Sequence, residues 1–273
     1  MRKIAVVILH YEAIAETREC IDSLLKYYVD LIVVDNGSKN RPIDMILDIY
    51  KYYCHIHFIR SEINLGFARG NNIGYRYAKY ELGADIIILA NNDLVFDQVD
   101  FMEKCTERDR IGVAGPRIIS LVDGKNQNPV CRQYNSLLDV KKRKWKYVIL
   151  CFLCFFNLDK IGRKLFAKPV EEVHLKENED FQLHGACIIL GEDFINKYEG
   201  LYEGTFMYGE ENILRYICYR DAIRYEYFDD IEVKHKEESS TKAAFGKGIR
   251  KRLFFYRNSL QSCNALIKIM CMK

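Results

Sequence analysis

Ile4–Glu12 reads IAVVILHYE, six aliphatic residues in a row that run straight into His10, Tyr11 and Glu12. An unbroken apolar run closed by polar residues predicts a strand buried on both faces, as in a parallel sheet covered by helices. The pattern recurs downstream. Leu31–Val34 reads as a second such strand, stopped by Asp35-Asn36-Gly37-Ser38. Ile56–Ile59 is a third, and Ile86–Leu89 a fourth that ends in Asn91-Asn92-Asp93. Helical stripes lie between them. Ile21, Leu24, Leu25 and Tyr28 share one helical face, as do Ile43, Ile46, Leu47 and Tyr50 behind Pro42. Gly74, Tyr77, Ala78 and Leu82 mark a third helix, with Gly83 as its stop. The first 95 residues therefore read β-α-β-α-β-α-β. This is the α/β class, a central mainly parallel sheet flanked by helices through right-handed crossovers. Such sheets bind ligands beyond the carboxyl ends of their strands, a rim that here carries His10, Tyr11, Glu12, Asp35 and Asp93.

The second half is less regular. Ile111–Pro116 reads as a strand, and residues 120–180 show no clear period. They contain a basic run, Lys141–Lys146, followed by an apolar one, Val148–Phe156. Phe181–Leu190 regains strand character around His184-Gly185-Ala186. A turn-rich stretch then leads into Tyr208-Gly209-Glu210-Glu211, and Ile213, Leu214, Ile217 and Cys218 mark a helix. Ile223–Phe228 reads as a strand, and a last helix starts at Ile249.

Composition narrows the class. The chain has 273 residues, 49% hydrophobic and 29% charged, which suits one large domain with an appended tail. Four prolines and no low-complexity stretch exclude collagen-like and long disordered architectures. No apolar run reaches the ~20 residues that span a bilayer. Of the 41 basic side chains, eight fall in Ser239–Lys273, which contains no acid, so the first 238 residues carry 33 basic against 38 acidic groups. A basic tail on a mildly acidic body favours an anionic partner or a solvated helix face. No recognised nucleic-acid module accompanies the charge, so nucleic acid is not expected. The ten cysteines are scattered; Cys151 and Cys154 lack the second close pair of a zinc ribbon. They read as buried thiols of a reducing cytoplasm. A P-loop, a GxGxxG turn and a GxSxG elbow are all missing, which argues against phosphate-loop enzymes, Rossmann dehydrogenases and α/β-hydrolases.

What remains is a set of acidic residues at strand ends and a Gly/Asn-rich turn. Four segments resemble the inverting nucleotide-sugar glycosyltransferases of family two, which have the GT-A fold. They are Val6–Glu12 (VVILHYE), Ile32–Ser38 (IVVDNGS), Asn64–Gly74 (NLGFARGNNIG) and Leu89–Val95 (LANNDLV). The last two in succession are most similar to the rhamnosyltransferase-like branch. Gly185-Ala186-Cys187, Tyr208–Glu211 and Val233–His235 follow in the family's order. The resemblance is dense over residues 1–119 and sparse over 181–258.

The resemblance implies a UDP- or dTDP-linked sugar donor and a Mn2+ or Mg2+ ion that bridges its diphosphate. Asp93 is the implied metal ligand, with Asn91 as an oxygen donor or supporting group where the family has its first Asp, and with His235 nearby. The implied nucleotide-sugar site takes in His10, Tyr11 against the base, Glu12 at the ribose and Asp35 accepting from a pyrimidine N–H. It continues through Asn64, Gly66, Phe67, Arg69, Asn72 and Asn92. Read from the residues alone, Asp35 also suits a turn cap with Ser38, and Asn72 an ordinary cap. Inversion needs a base for the acceptor hydroxyl. Glu211 takes that role, with Glu210 positioning the acceptor, although the family usually has Asp at the second place. An acidic pair also suits any first helical turn. His184 and Gly185 fall on the implied acceptor side.

The expected organisation is a glycosyltransferase domain over 1–238, with a donor half over 1–119 and an acceptor half over 120–238, and then a basic flap and helix over 239–273. The expected activity is transfer of a sugar to a hydroxyl of a surface glycan, lipid-linked, by a cytoplasmic protein attached to the inner face of the membrane. The stripe Ile249, Leu253, Tyr256 and Leu260 with its surrounding arginines suits such attachment, and equally suits packing on the domain. The other reading is a non-catalytic nucleotide-sugar-binding or scaffold protein with a degraded metal motif.

Overall fold

Strand β1 (Ile4–His10) lies near the middle of an eight-stranded sheet. The structure is a computed structural model and describes residues 2–39, 43–131, 136–166, 181–237 and 248–272. Pro42 and most of the expected flap at 236–241 lie outside the described residues. The sheet order is β3 (Ile56–Ser61), β2 (Asp30–Asn36), β1, β4 (Ile86–Asn91), β9 (Cys187–Leu190), β6 (Val113–Ser120), β10 (Tyr225–His235) and β5 (Leu94–Val95). A separate two-stranded ribbon joins β7 (Val130–Cys131) to β8 (Phe181–Gln182).

The four strands predicted from the first 95 residues all form and pair in parallel. Their continuous hydrophobicity has a direct cause. Side chains alternate between faces along a strand, and both faces are covered. Val6 and Ile8 join one apolar cluster with Cys20, Ile21 and Leu24 of α1 (Ile14–Leu24) and Ile46 of α2 (Ile43–Tyr50). Ala5 and Val7 join another with Ala68 and Tyr75 of α3 (Phe67–Arg76), which runs on as a π-helical turn to Glu81. Gly74 lets α3 settle on the sheet, since a Cβ there would stand 2.4 Å from Val7 Cγ1.

The sheet is mixed beyond β4. β9 runs antiparallel to both β4 and β6, β10 parallel to β6, and β5 antiparallel to β10. The predicted strand Phe181–Leu190 is two strands, because His184-Gly185 leaves the extended path between them. Ile223–Phe228 likewise extends past a bulge to His235. Short helices α4 (Phe101–Thr106) and α7 (Glu192–Ile195) carry too few residues to show a period.

The stretch 120–180, which shows no period in the sequence, holds α5 (Leu137–Phe155) and α6 (Asp159–Leu165). Ser136 caps α5, its hydroxyl accepting from Asp139 N–H at 3.2 Å. Val140, Tyr147, Leu150 and Cys154 of α5 are buried, yet Trp145, Ile149, Phe152 and Phe156 on its other side are exposed. Apolar residues on two opposite faces erase the amphipathic signal.

The buried face of α5 packs against α8 (Glu210–Arg220) and the last helix, α9 (Ile249–Cys271), in a third apolar cluster. The tail stripe therefore packs on the protein, shifted from the expected one: Tyr256, Cys263, Leu266 and Ile269 are buried while Ile249 is exposed. Asp159, fully buried, accepts from Arg252 Nε and Tyr256 OH, each at 2.8 Å, and so pins α9 to α6. Among the described residues, no helix is long and apolar enough to cross a membrane. Cys20, Cys105, Cys154, Cys187 and Cys218 are buried thiols, while Cys54 and Cys271 are exposed.

Candidate active site

The carboxyl ends of β1 and β2 form the first wall. His10 is fully buried, and its Nδ1 lies 2.6 Å from Thr17 Oγ1 while Nε2 has no partner. Burial holds its pKa below the ordinary value, against the opposing charges of Asp35 and Glu12. Tyr11 follows, partly exposed. Glu12 has a positive φ of 61°, and its carboxylate accepts from Lys39 N–H at 2.7 Å while its own N–H donates to Ser38 Oγ at 2.9 Å. Asp35 is 1% exposed; Ser38 N–H donates to its Oδ1 at 3.0 Å and Arg60 Nε to its Oδ2 at 3.2 Å. The turn-cap geometry read from the residues is thus present. A carboxylate offers about four lone-pair directions, so Asp35 keeps acceptor capacity for a ligand.

The segment Asn64–Asn72 ties this wall to the loop before α8. Asn64 Oδ1 accepts from Gly66 N–H at 2.9 Å, and Asn36 Nδ2 donates to Gly66 O at 3.0 Å. Gly66 has a φ of 84°, and a Cβ there would fall 2.1 Å from Phe206 O, the oxygen that accepts from Phe67 N–H at 2.8 Å. Asn72 is buried with its amide committed to that loop, donating to Leu201 O at 2.8 Å and accepting from Leu201 N–H at 2.7 Å. Arg69 Nε donates to Glu203 O at 2.9 Å. Asn64, Gly66, Phe67, Arg69 and Asn72 are therefore brought together, largely by contacts that hold residues 200–206.

Beyond β4 the chain crosses the sheet. Asn91 N–H donates to Ala186 O at 2.8 Å. Asn92 is buried with Nδ2 directed at Thr17 Oγ1, 2.9 Å away. Leu94 then pairs with His235 as β5 meets β10. This two-residue pairing carries Asp93 to a residue far along the chain: its Oδ1 lies 3.3 Å from His235 Nε2. Gln127 sets the tautomer of that histidine. Its amide nitrogen donates to Glu237 Oε1 at 2.6 Å, so its carbonyl oxygen faces His235 Nδ1 at 2.7 Å and takes that proton. The bare Nε2 lone pair then faces a carboxylate oxygen. Asp93 Oδ1 is buried and, among the described residues, has no hydrogen-bond partner apart from this approach of His235. With the imidazole neutral, two acceptors facing each other in a dry place repel, and either a proton on Nε2 or a metal cation between them relieves this. Asp93 and His235 fit a divalent cation, with Gln127 behind the imidazole as ligating histidines require. No three His, Cys, Asp or Glu side chains converge as a closed cage among the described residues. An open site of this sort leaves room for phosphate oxygens and water.

His184 links this pair to the opposite wall. Its ring centroid lies 5.8 Å from that of His235. Burial is the main cause that pushes its pKa down to about 4, so it is neutral at pH 7. His184 and Glu211 both line a cavity of about 260 Å³ that also takes in Arg143, Tyr147, Tyr208 and Phe255. Glu211 stands in the first turn of α8 with its carboxylate against Gly185, where a Cβ would fall 2.4 Å from Oε1. Burial raises the pKa of Glu211. Glu210 is turned away: it is buried, its Oε1 has no partner among the described residues, and it lines a second cavity of about 380 Å³. Its pKa is raised by burial and then by the charge of Glu211.

The family's sequence profile for glycosyl transferase family 2 matches residues 5–161, more than half of the chain. The chain belongs to glycosyl transferase family 2. Its fold agrees. The structure is similar to GalNAc-T7 with UDP, GalNAc and Mn2+, at TM-score 0.60 and 14% identity over 88% of this chain and 45% of that one. It is also similar to the mannosyltransferase PcManGT of Pyrobaculum calidifontis in complex with GDP-Man and Mn2+, at TM-score 0.54 and 11% identity over 100% and 76% of the two chains. Both likenesses show the GT-A fold. A sequence relative is the low-salt glycan biosynthesis hexosyltransferase Agl10 of Haloferax volcanii, 24% identical over 86% of this chain and 67% of that protein. The chain spans under half the length of GalNAc-T7.

Several residues of the site carry no sequence signal of their own. Gln127 sits in an irregular stretch, Arg143 in the basic run, and Thr17 on the inner face of α1. Only Asn36, inside the DNGS turn, stands within a motif.

Proposed function

We propose that this chain is an inverting glycosyltransferase that moves a hexose from a UDP- or dTDP-linked donor to a hydroxyl of a surface-glycan acceptor, lipid-linked, on the cytoplasmic side of a membrane. The observation that carries the reading is one continuous line of side chains. Asp93 Oδ1 and His235 Nε2 face each other at 3.3 Å, the His235 ring meets His184 at 5.8 Å, and His184 shares a cavity with Glu211. The donor class is supported by the UDP, GDP-sugar and Mn2+ in the related structures, and the acceptor class by the glycan-biosynthesis relative.

In this reading Asp93 and His235 hold Mn2+ or Mg2+, which when bound neutralises the diphosphate as it leaves. Asp35, Glu12 and the backbone around Gly66 receive the nucleoside side of the donor. Glu211 takes the proton of the acceptor hydroxyl. Its raised pKa suits that task, because burial makes it a stronger base than an exposed carboxylate. His184, kept neutral, adds no positive charge that would hold the Glu211 carboxylate in its ionised, less basic form.

The test is a melting-temperature panel of UDP-, dTDP- and GDP-sugars with and without Mn2+, followed by transfer assays on Glu211→Gln. A donor at 100 times its Kd adds about 2.7 kcal/mol by mass action. That raises the melting temperature by roughly 5–10 °C for a chain of this size. Glu211→Gln should keep that rise and lose transfer, and NMR of the wild-type product should show an inverted anomeric configuration. A protein that bound donor and never transferred sugar with any glycan would instead be a binding module, the reading favoured by the single carboxylate of Asn91-Asn92-Asp93.

A further inference from the structure

Helix α5 is apolar on two opposite faces, and among the described residues only one of them is packed against the protein. Leu138, Trp145, Ile149, Phe152 and Phe156 follow at intervals of seven, four, three and four residues. At about 100° per residue these five directions fall within ~60° of one another. They lie opposite Val140, Tyr147, Leu150 and Cys154, which are buried against α8 and α9. Trp145 is 65% exposed, Phe152 63% and Phe156 63%. Just past the helix end, Leu158, Ile161 and Leu165 add exposed apolar groups from α6 and its approach. Contiguous apolar surface of this kind marks an interaction site.

The charges around it are of one sign. Lys141 and Lys142 are exposed on the same side of α5, Lys144 and Lys146 flank the stripe, and Lys160 and Lys164 are exposed on α6. Residues 140–158 contain no Asp or Glu, and Asp159 is buried in its bonds to Arg252 and Tyr256. A tryptophan-bearing apolar stripe bordered by lysines matches an interface of acyl chains beneath anionic headgroups.

We infer that the outer face of α5, continued by α6, is a membrane-docking surface for anionic lipid, and that it holds the acceptor cavity at the bilayer. The opposite side of the same helix supplies Arg143 and Tyr147 to the cavity that contains Glu211. One helix therefore joins the lipid surface to the place where a lipid-linked hydroxyl would react. The inference rests on the proposed lipid-linked acceptor for its purpose only. Lipid binding and donor binding are read by separate experiments, so either fails without the other.

Trp145 is the chain's only tryptophan and reports on the face directly. Full-length protein is mixed with phosphatidylcholine vesicles and with vesicles containing about 30 mol% phosphatidylglycerol, and Trp145 emission and co-sedimentation are recorded. The anionic vesicles should shift the emission to the blue and sediment the protein, and about 0.5 M salt should weaken both. Phe152→Ser with Phe156→Ser, and separately Lys141→Glu with Lys142→Glu, should each lower vesicle partitioning ~10-fold or more. All four side chains are exposed, so the melting temperature and donor-induced melting shift should stay at wild-type values. The inference is overturned if anionic vesicles leave emission unchanged, or if neutral vesicles bind equally well. It is also overturned if Trp145 is shielded without lipid. Sedimentation analysis then separates a second copy of the chain from a segment of the chain itself as the cover.

Discussion

Gly185→Ala perturbs the proposed base first. The three atoms closest to an added Cβ all belong to Glu211: Oε1 at 2.4 Å, and Cδ and Cγ at 3.2 Å. An ordinary contact is about 3.5 Å, so the carboxylate must withdraw by about 1 Å. It is the free end of a side chain beside an open cavity, so the fold absorbs the change and the melting temperature moves little. Catalysis does not absorb it. A misplacement of about 1 Å at a reacting group costs on the order of 10²-fold in rate, or about 2.7 kcal/mol of barrier. The expected result is a kcat near one hundredth of wild type at saturating donor and Mn2+, with the donor Kd from calorimetry within about twofold, since uniform binding is untouched. Glu211→Asp provides the cross-check. Shortening the side chain by one methylene draws the carboxylate back from the new methyl. Gly185→Ala should then cost far less when combined with Glu211→Asp, and the double-mutant cycle should show strong coupling. A wild-type kcat in Gly185→Ala would refute the placement of the base. So would penalties that simply add, or a loss carried equally by donor affinity.

Three further outcomes follow from the geometry. Gln127→Leu removes the acceptor that fixes His235 in its metal-binding tautomer, so Mn2+ affinity in the presence of UDP should fall ~10–100-fold while metal-free UDP binding is unchanged, measured by calorimetry. Glu210 is an acid whose pKa is raised in the fold, so the folded state holds its proton longer than the unfolded one. Stability must then fall as pH climbs above the ordinary carboxylate range and level off past the raised value; Glu210→Gln should flatten that slope and add on the order of 1–3 kcal/mol at pH 8 in urea melts. Gly66→Ala forces a Cβ to 2.1 Å from Phe206 O at a φ of 84° and should cost on the order of 2–4 kcal/mol, read as a lower urea midpoint.

The first 95 residues are legible because their physics is local. Strands β1, β2 and β4 are buried on both faces, so four to six neighbouring apolar residues declare each of them, while β3 at the sheet edge buries only Ile56 and shows in the sequence as Ile56, Phe58 and Ile59 between helical stripes. The same reasoning places Asp35, Glu12 and Asp93 on one rim as candidates, because strand ends are where a parallel sheet gathers polar groups. It misjudges the acceptor half where two demands overlie one segment. In α5 a core stripe and an outer stripe cancel each other's period, so Val148–Phe156 looks like a featureless apolar run. In α9 Ile249 and Leu253 suggest one register for the stripe, whereas the buried face begins at Tyr256 and continues to Ile269.

The same contrast explains which parts of the candidate site can be read without coordinates. Asn64, Gly66, Arg69 and Asn72 stand together in sequence, so they are recognisable as one motif, yet Arg69 and Asn72 bond to the 200–206 loop while Asn64 and Gly66 bond to Asn36 and each other. That gives the motif a structural burden beside the binding role proposed for it: it helps to hold the loop from which Tyr208, Gly209 and Glu211 reach the cavity. The pairing of Asp93 with His235 has the opposite character. It depends on two residues of β5 lying along β10, a contact too short for any periodicity, and on Gln127, which no spacing singles out. The proposed cation site is therefore the part of the reading that most needs the fold. Loosening the β5–β10 pairing, for example with Val95→Pro at the residue opposite Lys234, should separate Asp93 from His235 and abolish the Mn2+-dependent melting shift. The four-stranded parallel half has no contact with that pairing in its ladder and should still melt cooperatively by circular dichroism. Retention of a full Mn2+ response in that variant would mean that the two side chains do not act together.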